Sequence, residues 1–170
     1  MTQQALFVAV LMGSDSDLKT MQSAVDVLEG FGVRVEVNIK SAHRTPEETR
    51  QYVQDADRRG CAVFIAGAGL AAHLAGAVAA HTLKPVIGVP MDGGPLNGFD
   101  ALLSTVQMPA GIPVACVAIG KAGAKNAGYL AAQILSLADP ALAERVRRER
   151  DDNRAVVLAK DGELRQQRGN

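Results

Sequence analysis

The sequence predicts an α/β fold in which helices cover both faces of a single parallel sheet. Short apolar runs alternate with amphipathic or alanine-rich segments along the chain, as repeated strand–helix units require. Hydrophobic residues make up 48% of the chain but aromatic ones only 4%, so aliphatic side chains must build the core. That composition is typical of parallel strands buried on both faces. Many of the 17 glycines cluster after the apolar runs, where backbone can approach a ligand.

Five apolar runs are predicted to be the strands. The first, ALFVAVLM at residues 5–12, is continuously apolar, which is typical of a strand buried on both faces. The other four predicted strands are residues 33–39, 62–66, 85–89 and 114–119. Short connections and right-handed crossovers then place helices on both faces of a doubly wound sheet. Five such strands suit the flavodoxin-like order, which gives three layers.

Helices are predicted after each strand. The first places apolar residues at helical spacing from Leu18 to Phe31, before Gly32. The second runs from Pro46 to about Arg59, because Thr45 can cap it and proline suits its first position. The remaining predicted helices are an alanine-rich one ending near 82, then 99–106, about 123–137 and about 140–159.

We expect a single domain over residues 1–170. Its core spans about 5–137, a C-terminal helical arm about 140–160, and a disordered tail about 161–170. The arm carries only a thin apolar stripe among many charges. It is either a solvated helix or an arm that lies on a neighbouring subunit, and periodicity leaves both interpretations open.

Charge and composition exclude several function classes. Eighteen basic and eighteen acidic side chains cancel, so no nucleic-acid or membrane surface is indicated. No run approaches the roughly 18 apolar residues of a membrane span, and no signal segment opens the chain. Cys61 and Cys116 are isolated among apolar residues, as small hydrophobes in a reducing compartment are. We therefore expect a cytoplasmic protein.

The stretch Ser41-Ala42-His43-Arg44-Thr45-Pro46 lies between the second strand and the second helix. His43 and Arg44 are therefore expected on a loop at the carboxyl end of a strand, where open α/β sheets bind ligands. The loop offers a hydroxyl, an imidazole and a guanidinium, which suit holding an anion and moving a proton. His43 is the candidate general acid/base, whereas His81 is expected on the surface and His73 is structural or near the site.

The stretch Gly13-Ser14-Asp15-Ser16-Asp17 follows the first strand. Its glycine allows a tight turn, and its serines precede a helix N-terminus, which favours an anion. Asp17 could accept hydrogen bonds from ribose hydroxyls. The alternative is that Ser16 or Asp17 merely caps the helix, and the sequence leaves both open.

The stretch 67–72 matches Gly-x-Gly-x-x-Ala after a strand, and Asp92 follows the next strand. This weakly resembles a dinucleotide-binding fingerprint, although it sits in the third strand–helix unit rather than the first. The other use of such glycines is to expose backbone amides to a small polar group.

Other site types are disfavoured. No Cys/His cluster has zinc-ligand spacing, and no serine follows a nucleophile-elbow pattern. A phospho-receiver module shares this strand order and would use a lysine like Lys121. That module also needs an aspartate at the end of the third strand, where this chain has Ala66-Gly67.

Taken together, the loop motifs resemble a known family. In order along the chain, the matching stretches are 12–17, 41–46, 66–69 with 72–74, 88–90, 107–109 with 111–114, and 118–124. Over roughly residues 5–160 the chain resembles the 5-(carboxyamino)imidazole ribonucleotide mutases of purine biosynthesis, class I of the aminoimidazole ribonucleotide carboxylase superfamily. Six spaced motifs are more specific than any one of them.

The resemblance implies a homo-octamer with sites at subunit interfaces and a small-molecule ribonucleotide substrate. It implies no metal and no organic cofactor. The implied reaction converts 5-carboxyamino-1-(5-phospho-D-ribosyl)imidazole to 5-amino-1-(5-phospho-D-ribosyl)imidazole-4-carboxylate by decarboxylation and recarboxylation.

The resemblance also implies residue roles. Ser14 and Arg44 match phosphate contacts, with Ser41 beside the phosphate, and Asp17 matches a ribose contact. His43 matches the residue that moves the proton. The amides around 66–69, including those of Ala68 and Gly69, would hold the migrating carboxylate with His73 nearby.

The chain departs from the family pattern at three places. Leu70 stands where glycine is frequent, Ala75 where proline is common, and residues 91–95 differ from the usual loop. The alternative function is the carboxylase that uses free carbon dioxide and aminoimidazole ribonucleotide. Those enzymes tend to carry lysine where this chain has Arg44, so the mutase is favoured.

Overall fold

The structure, a computed structural model, describes residues 6–169, and within them five strands form one sheet. The strands are β1 (Phe7–Met12), β2 (Arg34–Ile39), β3 (Cys61–Ala68), β4 (Val86–Pro90) and β5 (Ala115–Cys116). Their order is β2-β1-β3-β4-β5, and all neighbouring pairs are parallel. This confirms the predicted flavodoxin-like, doubly wound α/β sheet.

Six α-helices follow the strands. They are α1 (Leu18–Gly30), α2 (Pro46–Arg58), α3 (Leu74–Ala79), α4 (Phe99–Val106), α5 (Gly120–Ser136) and α6 (Pro140–Arg168). A short 3-10 helix, Asp15–Asp17, precedes α1. Within residues 6–169, none of these helices combines the length and the apolar character that a membrane span requires.

Strand β1 is the centre of the core, because all six of its residues are buried. Successive side chains of a strand point to opposite faces of the sheet. Phe7, Ala9 and Leu11 therefore share one face, where they pack in a cluster with Val53 of α2 and Val78 of α3. Helix α1 packs against β1 and β2. The aliphatic core that the composition predicted lies along this strand.

The edge strand β2 is only partly buried and carries an ion-pair network. Glu36 accepts hydrogen bonds from Arg59 Nη1 at 2.7 Å and Nη2 at 2.9 Å. Arg34 Nη2 and the Tyr52 hydroxyl also donate to this carboxylate, at 2.8 and 3.3 Å. Hydrogen bonds from Arg59 hold the pKa of Glu36 below its ordinary value. The network joins β2 to the end of α2.

Some element boundaries differ from the sequence prediction. Strand β5 contains only Ala115 and Cys116 rather than 114–119, because only these two residues pair with β4. The chain then turns at Gly120, whose φ is 71°. Helix α5 consequently begins at Gly120, not near 123. Helix α3 ends at Ala79 instead of continuing to about 82.

The chain divides into two compact units, Met1–Ala131 and Ala132–Asn170. The division falls within α5, earlier than the predicted end of the core near 137. In the second unit, Asp139 caps α6, since its Oδ1 accepts the Leu142 amide at 3.0 Å.

Helix α6 is longer than predicted. It has 29 residues and continues to Arg168, so the predicted end near 160 and the predicted disordered tail are wrong over the described residues. The extension has local support: Asp161 and Arg165 pair at 3.0 Å one turn apart, and Arg165 and Arg168 complement the helix C-terminus. Gly169, with φ 69°, ends the helix in the left-handed conformation.

Candidate active site

A cavity of about 780 Å³ opens at the carboxyl edge of the sheet, above β1, β2, β3 and β4. This is the edge at which doubly wound sheets bind ligands, beside the point where the strand order reverses. The sequence analysis assigned eight residues to the site, and all eight line this cavity. They are Ser14, Asp17, Ser41, His43, Arg44, Ala68, Gly69 and His73.

The loop after β1 presents Ser14 and Asp17. Ser14 has an extended backbone, and its hydroxyl accepts the Ser16 amide at 3.4 Å, which caps the 3-10 helix. Asp17 precedes α1 but its side chain makes no capping hydrogen bond. Neither Ser16 nor Asp17 therefore serves as the side-chain cap of α1. Burial raises the pKa of Asp17, although hydrogen bonds from Ser16 and Ser14 oppose that effect.

The loop after β2 is held by its own hydroxyls. Ser41 Oγ accepts the Arg44 amide at 3.1 Å, and Thr45 Oγ1 accepts the Ser41 amide at 3.0 Å. Thr45 occupies the N-cap position of α2, but its hydroxyl bonds back to Ser41 rather than capping the helix. These hydrogen bonds hold the loop in its conformation.

Arg44 connects the second loop to the first. Its Nη2 donates to the Gly13 carbonyl at 3.0 Å. This bond keeps a positive charge beside the loop that carries Ser14. The remaining guanidinium N–H groups are suited to bind an anion such as a phosphate, because the planar group can bind two oxygens at once.

His43 and His73 are in direct contact. His43 Nε2 lies 2.7 Å from His73 Nδ1, and the two rings are nearly perpendicular, at 83°. At this distance one nitrogen donates a proton and the other accepts it. His73 is the residue before α3, where its amide bonds the Ala71 carbonyl. The sequence placed His73 near the site but did not predict this contact.

Gly67 is required for close packing against two methionines. Gly67 is buried inside β3, and a Cβ added there would lie 2.5 Å from Met21 Sδ and 2.9 Å from Met91 Cε. The stretch 67–72 does not open a helix, since α3 begins only at Leu74. The dinucleotide interpretation therefore lacks the strand–turn–helix context that it requires.

The loop after β4 also lines the cavity, although the sequence analysis named none of its residues as substrate contacts. Met91, Asp92, Gly93 and Gly94 all line the cavity. The sequence signals were the position of this glycine-rich loop at the carboxyl end of a strand and its departure from the family pattern at 91–95. Two of the departures from the family pattern meet here, because a Cβ added at Gly94 would lie 2.5 Å from Leu70 Cδ2.

A hydroxyl of α4 supports the loop that carries His73. Ser104 Oγ accepts the Ala72 amide at 3.0 Å and donates to the Asp100 carbonyl at 2.6 Å.

Across residues 6–169, no three His, Cys, Asp or Glu side chains are grouped so that they could hold a metal ion. The cavity therefore combines a histidine pair, a guanidinium, hydroxyls and backbone amides.

Comparison with known proteins assigns the family. A family model described as AIR carboxylase matches residues 7–155. An N5-carboxyaminoimidazole ribonucleotide mutase of Synechocystis is 55% identical over 164 residues, which are 96% of this chain and 92% of that protein. The protein of the same name from Bacillus subtilis is 52% identical, over 92% of this chain and 97% of its own.

Solved structures agree with the sequence relatives. The crystal structure of Treponema denticola PurE has a TM-score of 0.86 to this chain at 30% identity, and the match covers 94% of this chain and 98% of that one. The family model matches most of the chain, and the two mutases named above are each more than half identical to this chain. The chain belongs to the AIR carboxylase family.

Proposed function

We propose that this protein converts 5-carboxyamino-1-(5-phospho-D-ribosyl)imidazole to 5-amino-1-(5-phospho-D-ribosyl)imidazole-4-carboxylate in de novo purine (IMP) biosynthesis. It is an isomerase that moves a carboxylate within one molecule. The observation that carries the proposal is that His43, His73 and Arg44 line one cavity, with the two imidazoles 2.7 Å apart. Relatives that are 52% and 55% identical are named for this activity.

The ribose phosphate binds to the loops after β1 and β2 in this proposal. Arg44 and Ser14 contact the phosphate, and Ser41 lies beside it. The bond from Arg44 to Gly13 supports this role, because it holds the guanidinium next to the Ser14 loop. Asp17 binds the ribose hydroxyls. Its carboxylate is half-buried and does not cap α1, which supports that role.

The first half of the reaction breaks the bond between the exocyclic nitrogen and the carboxylate carbon. The electron pair returns to the nitrogen, which takes a proton from His43, and carbon dioxide is released into the cavity. The amides of residues 66–69, including Ala68 and Gly69, hold the carboxylate before it leaves. His73 stands beside His43 and fixes the orientation of its ring.

The second half forms the carbon–carbon bond. Ring carbon 4 attacks carbon dioxide, and the proton on that carbon passes to His43, which restores the aromatic ring. His43 thereby regains the proton that it gave to the nitrogen, and the net change is an isomerisation. A positioned acid/base of this kind contributes about 100-fold or more to rate.

Assembly as a homo-octamer with sites at subunit interfaces belongs to the same proposal. Exposed apolar side chains support it: Phe99, Leu103 and Val106 form a stripe on α4 and are 64%, 56% and 47% exposed. On α6, Val157 is 66% exposed. An extra C-terminal helix that packs on a neighbouring subunit would cover part of this surface. The free thiols Cys61 and Cys116 are compatible with the reducing cytoplasm.

The experiment that tests the function uses both ribonucleotides. The purified protein is given the carboxyamino compound with or without ¹³C-bicarbonate, or aminoimidazole ribonucleotide with ¹³C-bicarbonate. We expect the carboxyamino compound to yield the 4-carboxylate without bicarbonate. When ¹³C-bicarbonate is present, the 4-carboxylate should contain little label. A strict need for bicarbonate with aminoimidazole ribonucleotide would assign the carboxylase activity instead. Formation of the 4-carboxylate from neither compound would overturn both.

The role of His43 has its own test. His43→Asn should keep the fold and ligand binding while turnover falls by about 100-fold or more. Circular dichroism and calorimetry with the product give the two controls. A variant with near-wild-type turnover would assign the proton transfer to another group.

A further inference from the structure

Leu70 has an unusual backbone conformation for its residue type. Among residues 6–169, Leu70 and Asn97 are the only non-glycine residues with positive φ, at 54° and 50°. Asparagine tolerates the left-handed region, whereas leucine meets a steric penalty there. Such a conformation persists only where the surroundings determine it. The core does not do so, because the Leu70 side chain is 55% exposed.

Two neighbours determine the position of Leu70. On its C-terminal side, Ser104 Oγ accepts the Ala72 amide at 3.0 Å, which anchors the loop to α4. Across the cavity mouth, Leu70 Cδ2 lies 2.5 Å from the place where a Cβ at Gly94 would be. The leucine methyl thus fills the space that a side chain at Gly94 would occupy. Leu70 and Gly94 both line the cavity.

The contact joins the loop after β3 to the loop after β4. Residues 92–97 of the second loop are exposed, and Gly93 and Gly94 contribute no side chains of their own to the contact. The apolar cover over this part of the cavity therefore comes from Leu70.

We propose that Leu70 is a specificity-determining residue that seals the cavity over released carbon dioxide. The inference rests on the proposed function and concerns how that reaction divides between two fates. Carbon dioxide is small and uncharged, so walls without polar groups leave it free to react with the ring. An apolar side chain at the mouth also excludes water and delays escape. Leu70 favours recapture by ring carbon 4 over loss of carbon dioxide to solvent.

The test measures the partition between the two fates. The carboxyamino ribonucleotide is supplied with ¹³C-bicarbonate, and the free amine, the 4-carboxylate and the label in the 4-carboxylate are quantified, with a blank lacking enzyme subtracted. Leu70→Gly keeps the backbone conformation and removes the cover. We expect the ratio of free amine to 4-carboxylate to rise about threefold or more, with label incorporation rising in parallel. KM should stay within about twofold, because Leu70 does not touch the phosphate-binding groups.

Matched variants separate sealing from general loop effects. Asn97→Gly changes the other left-handed residue, which does not line the cavity, and it should leave the partition unchanged. Asparagine adopts the same left-handed backbone, so Leu70→Asn is a second variant if Leu70→Gly folds poorly. It should lose carbon dioxide to solvent as Leu70→Gly does.

Several outcomes would overturn the inference. They are a folded Leu70→Gly with wild-type partition, a folded Leu70→Gly with no turnover, or an Asn97→Gly that leaks equally. In all three cases the wild-type protein still isomerises its substrate. Failure of the proposed function is distinct, because the wild-type protein would then make no 4-carboxylate.

Discussion

His43 Nε2 and His73 Nδ1 lie 2.7 Å apart, although the two residues are separated by 30 positions in the chain. The contact joins the loop after β2 to the start of α3. Because one proton is shared between the two facing nitrogens, the state of one ring constrains the tautomer of the other. The orientation of the proposed acid/base thus depends on a second histidine.

The first prediction concerns this pair. His73→Leu removes the hydrogen bond at similar volume and should lower kcat about tenfold or more, while KM stays within about twofold. His73→Asn keeps an amide near the Nδ1 position and should recover part of the loss. Steady-state kinetics measure both constants. Equal kcat values in the leucine and asparagine variants would show that the hydrogen bond has no part in turnover.

The second prediction concerns the proposed phosphate site. Arg44→Ala removes a charge-assisted contact and should weaken product binding by about 2 kcal/mol, as measured by calorimetry. Arg58→Ala is the matched control, because Arg58 is an exposed arginine at the end of α2 that pairs with Asp55. The control should bind as the wild-type protein does. Unchanged affinity in Arg44→Ala would remove this arginine from the site.

The third prediction concerns the packing around Gly67 in β3. Gly67→Ala places a methyl 2.5 Å from Met21 Sδ and 2.9 Å from Met91 Cε, so both side chains must move. We expect the free energy of unfolding to fall by about 1 kcal/mol or more in urea titrations. Gly30→Ala at the end of α1 has open space around it and should not destabilise. Equal stability of the two variants would contradict the packing role of Gly67.

The fourth prediction concerns acid stability. Arg59 holds the pKa of Glu36 below its ordinary value of 4.5 in the folded state. The pair therefore contributes stability that is present above pH 4.5 and is lost as the pH falls through the lower folded-state pKa. Glu36→Gln should flatten the fall of unfolding free energy below pH 4.5, and Arg59→Gln should do the same. Chemical denaturation over an acidic pH series measures this. A wild-type slope in both variants would exclude the pair as its source.

The fifth prediction concerns assembly. Leu103 lies in the exposed apolar stripe of α4, between Phe99 and Val106. Leu103→Glu places a charge in that stripe and should yield smaller particles by light scattering, because a charge buried without a partner is costly. The exposed Leu83, at 102% exposure and outside that stripe, gives the control Leu83→Glu. An unchanged particle size in Leu103→Glu would exclude α4 as an interface.

Local patterns in the chain determined most of the secondary structure. The continuous apolar run at 5–12 predicted the buried central strand, and the sequence around Pro46 predicted where α2 begins. These signals are local, since hydrophobic period and helix-start residues act over a few neighbours. The same locality explains the errors. The end of α6 was missed because a highly charged helix shows little hydrophobic periodicity.

The residue content of the site was also evident from the sequence, because the carboxyl ends of parallel strands meet at one edge of the sheet. Ser14, Ser41 and His43 each follow a predicted strand, and all three line the cavity. What the sequence alone determined was therefore which chemical groups gather at this edge.

Only the tertiary structure decided which of those groups touch. The contacts of His43 with His73, of Arg44 with Gly13 and of Leu70 with Gly94 each join two different loops. Their existence depends on strand order, register and the exact path of each loop, which no local pattern encodes. The reason that Gly67 must be glycine is likewise tertiary, because the methionines that exclude a side chain come from α1 and from the loop after β4. A strand sequence predicts its own conformation, but its neighbours in space are set by the packing of the whole sheet.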